Sequence, residues 1–130
     1  MKTLVTILAL FLVGSVQTFA QHTKTKYKAV PVEKADKLIE KKKPIIIDVR
    51  TPEEVAEGTI PGALNYNFKA PEFKEQLALL DRSQPYLVYC RSGNRSGKAI
   101  EIMKEMGFRK LYEMNAGFPA YAEYKKKSIE

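Results

Sequence analysis

The sequence has one cysteine and one histidine among its 130 residues, and each scarcity excludes a class of chemistry. With Cys90 alone, no disulfide can close within the chain, so the fold must rest on its hydrophobic core. A single thiol cannot complete a dithiol cycle either, because resolving a mixed disulfide would take a second sulfur from another molecule. The only histidine, His22, lies in a polar N-terminal stretch, which leaves no zinc cluster and no histidine base for the thiol. Long apolar runs are also missing. The most continuous, Leu4 to Val13, covers about ten residues, against the roughly 20 that span a bilayer. It follows Lys2 and leads into Thr18-Phe19-Ala20, the pattern of a secretory signal peptide over residues 1–20, cleaved after Ala20. Export, to a periplasm or to the medium, is therefore expected. Lipid anchoring through cysteine is excluded, since Cys90 lies far downstream of that run.

Behind this leader, residues 21–26 read as a polar tether and residues 27–130 as one compact domain, long enough for a single core. The 22 Lys and Arg outnumber the 15 Asp and Glu, for a formal charge of +7. Much of the excess sits in Lys41-Lys42-Lys43 and Lys125-Lys126-Lys127. Neither run is interleaved with aromatics, which fits charged helix ends and not a nucleic-acid surface. A basic balance of this kind suits small anionic substrates.

The domain alternates strand and helix signals. Tyr27–Val30 is a short strand and Pro31–Lys42 a helix, with proline in its first turn and Val32, Ala35, Leu38 and Ile39 on its apolar face. Ile45-Ile46-Ile47, with Val49 close behind, has the β-branched continuity of a strand buried on both faces. Thr51-Pro52-Glu53-Glu54 predicts a capped helix reaching about Glu57, ended by Gly58. A turn at Ile60-Pro61-Gly62, a short strand at 63–65 and a helix over 71–80 follow. Tyr86–Tyr89 is an apolar strand, Ser96–Met106 a helix with Ala99, Ile102, Met103 and Met106 in one stripe, Lys110–Met114 a last strand and Phe118–Lys126 a terminal helix. Met103 and Met106 read as core filling. This order predicts an α/β domain with a mainly parallel sheet, whose sites form beyond the C-terminal strand ends. Asp48, Arg50 and Cys90 all fall at such ends.

A free cysteine at the end of an apolar strand is most often a small buried hydrophobe. The residues that follow argue otherwise. Cys90-Arg91-Ser92-Gly93-Asn94-Arg95-Ser96 is a glycine-punctuated, arginine-bearing turn that leads into a helix, so backbone N–H groups and a helix N-terminus would converge on the sulfur. Such surroundings depress a thiol's pKa and make a nucleophile of it. Arg91 and Arg95 would draw in an anionic substrate. Arg95 could equally pair with a carboxylate, and Asp48 and Arg50 read as an ion pair joining strand ends near the loop.

Taken together, Ile47-Asp48-Val49-Arg50 with Pro52-Glu53-Glu54, Glu57-Gly58-Thr59-Ile60-Pro61-Gly62-Ala63-Leu64-Asn65, the Cys90–Ser96 loop, and Gly107-Phe108 leading to Asn115-Ala116-Gly117-Phe118 resemble a single-domain rhodanese. The resemblance covers nearly the whole of residues 27–130. Two departures concern packing: Tyr121 stands for an aromatic that is commonly tryptophan, and Ala116-Gly117 for a paired glycine. The resemblance implies a three-layer α/β domain, with a mainly parallel central sheet flanked by helices. It also implies that Cys90 takes a sulfane sulfur from a donor such as thiosulfate and passes it, as a persulfide, to cyanide or a thiol. Arg91, Ser92, Gly93, Asn94, Arg95 and Ser96 would bind the substrate, with Asp48 and Arg50 in support. A monomer acting without cofactor or metal, and with no nucleic-acid or membrane partner once the leader is removed, is expected. A persulfide carrier serving a partner protein would use the same loop. A phosphatase or arsenate reductase fits less well. Those enzymes place five residues between cysteine and arginine to wrap a tetrahedral oxyanion, whereas Cys90 and Arg95 enclose four.

Overall fold

The computed structural model describes residues 24–130; the leader expected over residues 1–20 lies outside the described residues, as does the first half of the tether, residues 21–23. The described chain runs β1 (Lys26–Ala29), α1 (Val32–Lys41), β2 (Ile45–Asp48), α2 (Pro52–Ala56), β3 (Leu64–Asn65), α3 (Phe73–Ala78), β4 (Pro85–Tyr89), α4 (Asn94–Glu105), β5 (Lys110–Glu113) and α5 (Phe118–Ile129). The five strands form one sheet in the order β1-β5-β4-β2-β3, every neighbouring pair parallel. β2 is followed outward to β3 and β4 outward to β5. Their C-terminal ends therefore flank the point where the connections diverge, which is where ligand crevices open in such sheets.

Strand periodicity divides the core into two layers. Ile47, Tyr86, Val88, Cys90 and Leu111 share one buried cluster with Phe73 and Leu77 of α3 and Ala99, Ile100 and Met103 of α4. The alternate positions Ile46, Leu87, Tyr89 and Tyr112 join Val32 and Ala35 of α1 and Tyr121 of α5 on the opposite face. Because successive side chains point to opposite faces, Cys90 continues the Tyr86-Val88 row under α4, whereas Asp48 follows Ile46 and faces the other way, with Tyr89. The parallel sheet is the one expected from the strand and helix order, and the three layers are those the resemblance implies.

Boundaries moved where capping chemistry decided them. α4 starts at Asn94, two residues before the Ser96 start read from the sequence. Its N-cap is Gly93, at φ 92°, a conformation open to glycine and strained for other residues. Gly93 has no side chain to cap the helix, and this is why the apolar stripe alone misplaced the start. α3 is shorter than the 71–80 expected, because Pro71 and Glu72 form a turn before it. α5 runs to Ile129, past Lys126; Glu123 and Lys127 pair at 2.8 Å one turn apart, and the basic last turn complements the helix dipole. Pro31 sits at the N-cap of α1, one position before its first turn.

The loop bearing Cys90 lies against the Asn115–Gly117 turn. A Cβ on Gly93 would come within 2.6 Å of the Asn115 carbonyl oxygen, and one on Gly117 would overlap the Arg91 carbonyl. Gly117, at φ 85°, is thus required by both conformation and contact. Of the paired-glycine positions, the second therefore has to be glycine. Gly117→Ala should destabilise the domain by more than about 2 kcal/mol, read as a lower urea midpoint at unchanged slope.

Candidate functional site

Cys90 follows β4 directly and is 1% exposed, its sulfur enclosed by its own loop. The Gly93 N–H donates to Sγ at 3.1 Å, and the thiol donates to Ser96 Oγ at 3.5 Å. The first amides of a helix have no partner within it. Here the turn aims them at sulfur. Burial pushes the Cys90 thiol up, but the backbone N–H groups of Ser96, Ser92 and Gly93 point at the sulfur, and the thiol lies below its ordinary value.

The two loop arginines differ. Arg95, in the first turn of α4, donates from both terminal nitrogens to Glu54, at 2.6 and 2.8 Å. Glu54 also closes a capping box with Thr51, accepting from its backbone N–H at 2.9 Å while Thr51 Oγ1 accepts from the Glu54 N–H. The carboxylate pairing, the second of the two roles open to Arg95, is the one the geometry realises, and it ties α2 to the start of α4. The Arg95 guanidinium and the Thr51 bonds hold the Glu54 carboxyl far below the usual carboxylate range. Arg91 is exposed and makes no ion pair among the described residues. With Arg50, Glu54, Glu57, Phe118 and Pro119 it lines a cleft of about 240 Å³. Ser92 on the loop and Asn94 at the start of α4 are exposed, whereas Ser96 is fully buried and donates to Glu113 Oε2 at 2.7 Å.

Asp48 and Arg50 form the expected pair at 2.7 Å, both buried. The Asp48 carboxylate also accepts from the Arg50 backbone N–H (3.0 Å), Thr59 Oγ1 (3.0 Å) and Tyr89 Oη (2.7 Å). Arg50 donates to the Gly58 carbonyl at 2.7 Å and lies 4.3 Å from the centre of the Phe118 ring. Burial pulls the guanidinium's pKa down, but Asp48 more than compensates and raises it. Tyr89, desolvated and bonded to this carboxylate, is raised as well. A buried pair with every acceptor filled fixes geometry more than it adds stability. Here it anchors the 57–60 turn and the start of α5 beside the cleft.

Four partners were not singled out from the sequence: Tyr89 and Thr59 on Asp48, Glu54 on Arg95, and Glu113 on Ser96. Glu113 carried a signal, an acid inside a strand of a mainly parallel sheet, where a charge needs partners. Among the described residues no group of three or more His, Cys, Asp or Glu is arranged to hold a metal ion. A cavity of about 390 Å³ lies between α1 and α5, where Ile39, Ile60, Phe118 and Tyr121 line it and Cys90 does not.

Comparison with known proteins gives a consistent picture. The family model for the rhodanese-like domain matches residues 31–124. The thiosulfate sulfurtransferase PspE of Escherichia coli is 39% identical over 71 residues, which are 55% of this chain and 66% of PspE. A tRNA uridine(34) hydroxylase of Acaryochloris marina is 32% identical over 83 residues, 61% of this chain but 27% of the hydroxylase. The chain thus spans about two thirds of the first relative and about a quarter of the second. The crystal structure of a rhodanese-related protein from Thermoplasma volcanium superposes with a TM-score of 0.67 at 28% identity, covering 75% of this chain and 93% of that one.

The Arg95–Glu54 pair generates a pH dependence. Because the Glu54 pKa is depressed in the folded state, its contribution is present above the ordinary carboxylate range and is lost as pH falls through the folded value. Glu54→Gln should therefore destabilise the protein at neutral pH and narrow the gap to the parent as the pH drops below about 4, measured by urea unfolding across pH 2–7.

Proposed function

The chain belongs to the rhodanese-like domain family, and from that premise we propose that it is a sulfurtransferase in which Cys90 carries the transferred sulfur as a persulfide. The observation that carries this reading is the seat of Cys90 Sγ at the N-terminus of α4, with the Gly93 N–H at 3.1 Å and the thiol held below its ordinary pKa. Amides placed this way stabilise negative charge on the sulfur to which they point, and on a persulfide in its place. The likeness to PspE, a thiosulfate sulfurtransferase, supports a small sulfur oxyanion as donor.

In the first half-reaction the Cys90 thiolate attacks the outer sulfur of thiosulfate. A new S–S bond forms, the S–S bond of the donor breaks, and sulfite leaves with the electron pair. In the second, cyanide or a thiolate attacks the terminal persulfide sulfur, and Cys90 leaves as thiolate. Arg91, which lines the cleft and makes no ion pair among the described residues, is the cation for the incoming dianion. Arg95 is committed to Glu54 and acts by holding the start of α4, hence the amides, against the sulfur. We place this chemistry in an exported protein on the leader pattern of residues 1–20.

Cys90→Ser should abolish thiocyanate formation from thiosulfate and cyanide while leaving the melting temperature close to that of the parent. Activity persisting in that variant would remove the nucleophile. Arg91→Ala should raise the KM for thiosulfate roughly fivefold or more, since a charged hydrogen bond contributes about 1–3 kcal/mol, with stability unchanged. Arg95→Ala should lower stability and kcat together. Equal kinetic defects in the two variants with no loss of stability in either would refute the division of labour.

A further inference from the structure

Glu113, at the end of β5, is 5% exposed and has no cation partner among the described residues. Two hydroxyls satisfy it instead. Tyr27 of β1 donates to Oε1 and Ser96 of α4 donates to Oε2, each at 2.7 Å. Strand parity sets this up: Val88 is in register with Glu113, and Cys90 lies two residues beyond Val88 on the same face, under α4. A row of polar groups therefore runs from the buried sulfur through Ser96 and Glu113 to Tyr27, which is 41% exposed.

A serine hydroxyl has one hydrogen to give. In this arrangement it goes to the carboxylate, a charged acceptor at 2.7 Å, and Ser96 Oγ presents a lone pair to the thiol at 3.5 Å. Adding Ser96 to the donors that stabilise a thiolate would require that hydrogen to turn toward sulfur and leave Glu113 with one donor fewer. We propose that Glu113 is a positioning residue that holds the Ser96 hydrogen away from Cys90 and thereby limits how far the loop amides favour the thiolate. This rests on the reading of Cys90 as the nucleophile and adds how its reactivity is restrained. The loop amides and Arg95 favour the thiolate, and Glu113 opposes them through one hydroxyl. The other charged groups near the row are Glu101, which acts on Tyr27, and Lys104, whose Nζ lies 4.1 Å from the centre of the Tyr27 ring. A thiol that ionises less reacts more slowly with oxidants, which matters for a chain with a single cysteine.

The test is the pH dependence of Cys90 alkylation by iodoacetamide, followed by intact mass on the full folded domain. Glu113→Gln is expected to lower the midpoint by about one pH unit, or roughly tenfold faster alkylation below it. In a Ser96→Ala background the same change should move the midpoint by less than half as much, because the hydroxyl that transmits it is gone. Tyr27→Phe, which leaves the carboxylate to pull harder on Ser96, should move the midpoint up, and it keeps the idea testable if Glu113→Gln does not fold. An unchanged or higher midpoint in Glu113→Gln, an equal shift without Ser96, or a midpoint that does not rise in Tyr27→Phe would overturn the proposal. Alkylation reports the thiolate whether or not sulfur is transferred. Failure of the sulfurtransferase reading would leave these shifts intact with no loading from thiosulfate, and failure of the present one would leave loading intact with no shifts.

Discussion

A helix that starts without a side-chain cap must direct its first amides at some acceptor, and in this chain α4 directs one at the sulfur of Cys90. Most of what surrounds the site serves that contact. Gly93 takes the left-handed conformation that turns the chain from strand to helix within three residues of the cysteine. Gly117 lets the loop approach the Asn115–Gly117 turn closely enough to be held there. Glu54 clamps Arg95, and so the first turn of α4, to the capped start of α2.

On the other face of the sheet a second buried cluster does a complementary job. Asp48 collects donors from Arg50, Thr59 and Tyr89, drawing the end of β2, the residues after Gly58 and the end of β4 to one point. Arg50 then lies under Phe118, whose backbone N–H donates to the Cys90 carbonyl at 2.9 Å. The two clusters meet at that hydrogen bond. Desolvating an ion pair is costly, so the worth of Asp48 and Arg50 lies in fixing where β2, β4 and α5 converge. The sulfur gains a rigid seat, which electrostatic stabilisation of a developing charge requires.

Much of the fold was legible in the residues. The β-branched run at Ile45–Ile47, the Thr51 capping box and the apolar strand before Cys90 are local signals, and each element formed within a residue or two of its expected place. The exceptions are instructive. The start of α4 was misplaced because a glycine cap leaves no side-chain signature, and α3 was overlong because an apolar stripe extends through turns as well as helices. Within the site, the cysteine and its loop could be read from local sequence, whereas partners could not. Arg95 and Glu54 are 41 positions apart, as are Asp48 and Tyr89, and only the sheet brings such pairs together. Glu113 was detectable in principle, by asking what a carboxylate does in a buried strand, but naming Ser96 as its partner needed the register of β4 and β5.

The amide-lined sulfur is meaningful only if it accepts sulfur, and the intact mass of the purified protein before and after thiosulfate, then after cyanide, reads this directly. A gain of about one sulfur atom, located on Cys90 and released as thiocyanate, is the outcome expected of a persulfide-forming enzyme. No gain, with the thiol shown to be free and the protein folded, would mean that the seat formed by the Gly93 and Ser96 amides does not make Cys90 an acceptor for this donor.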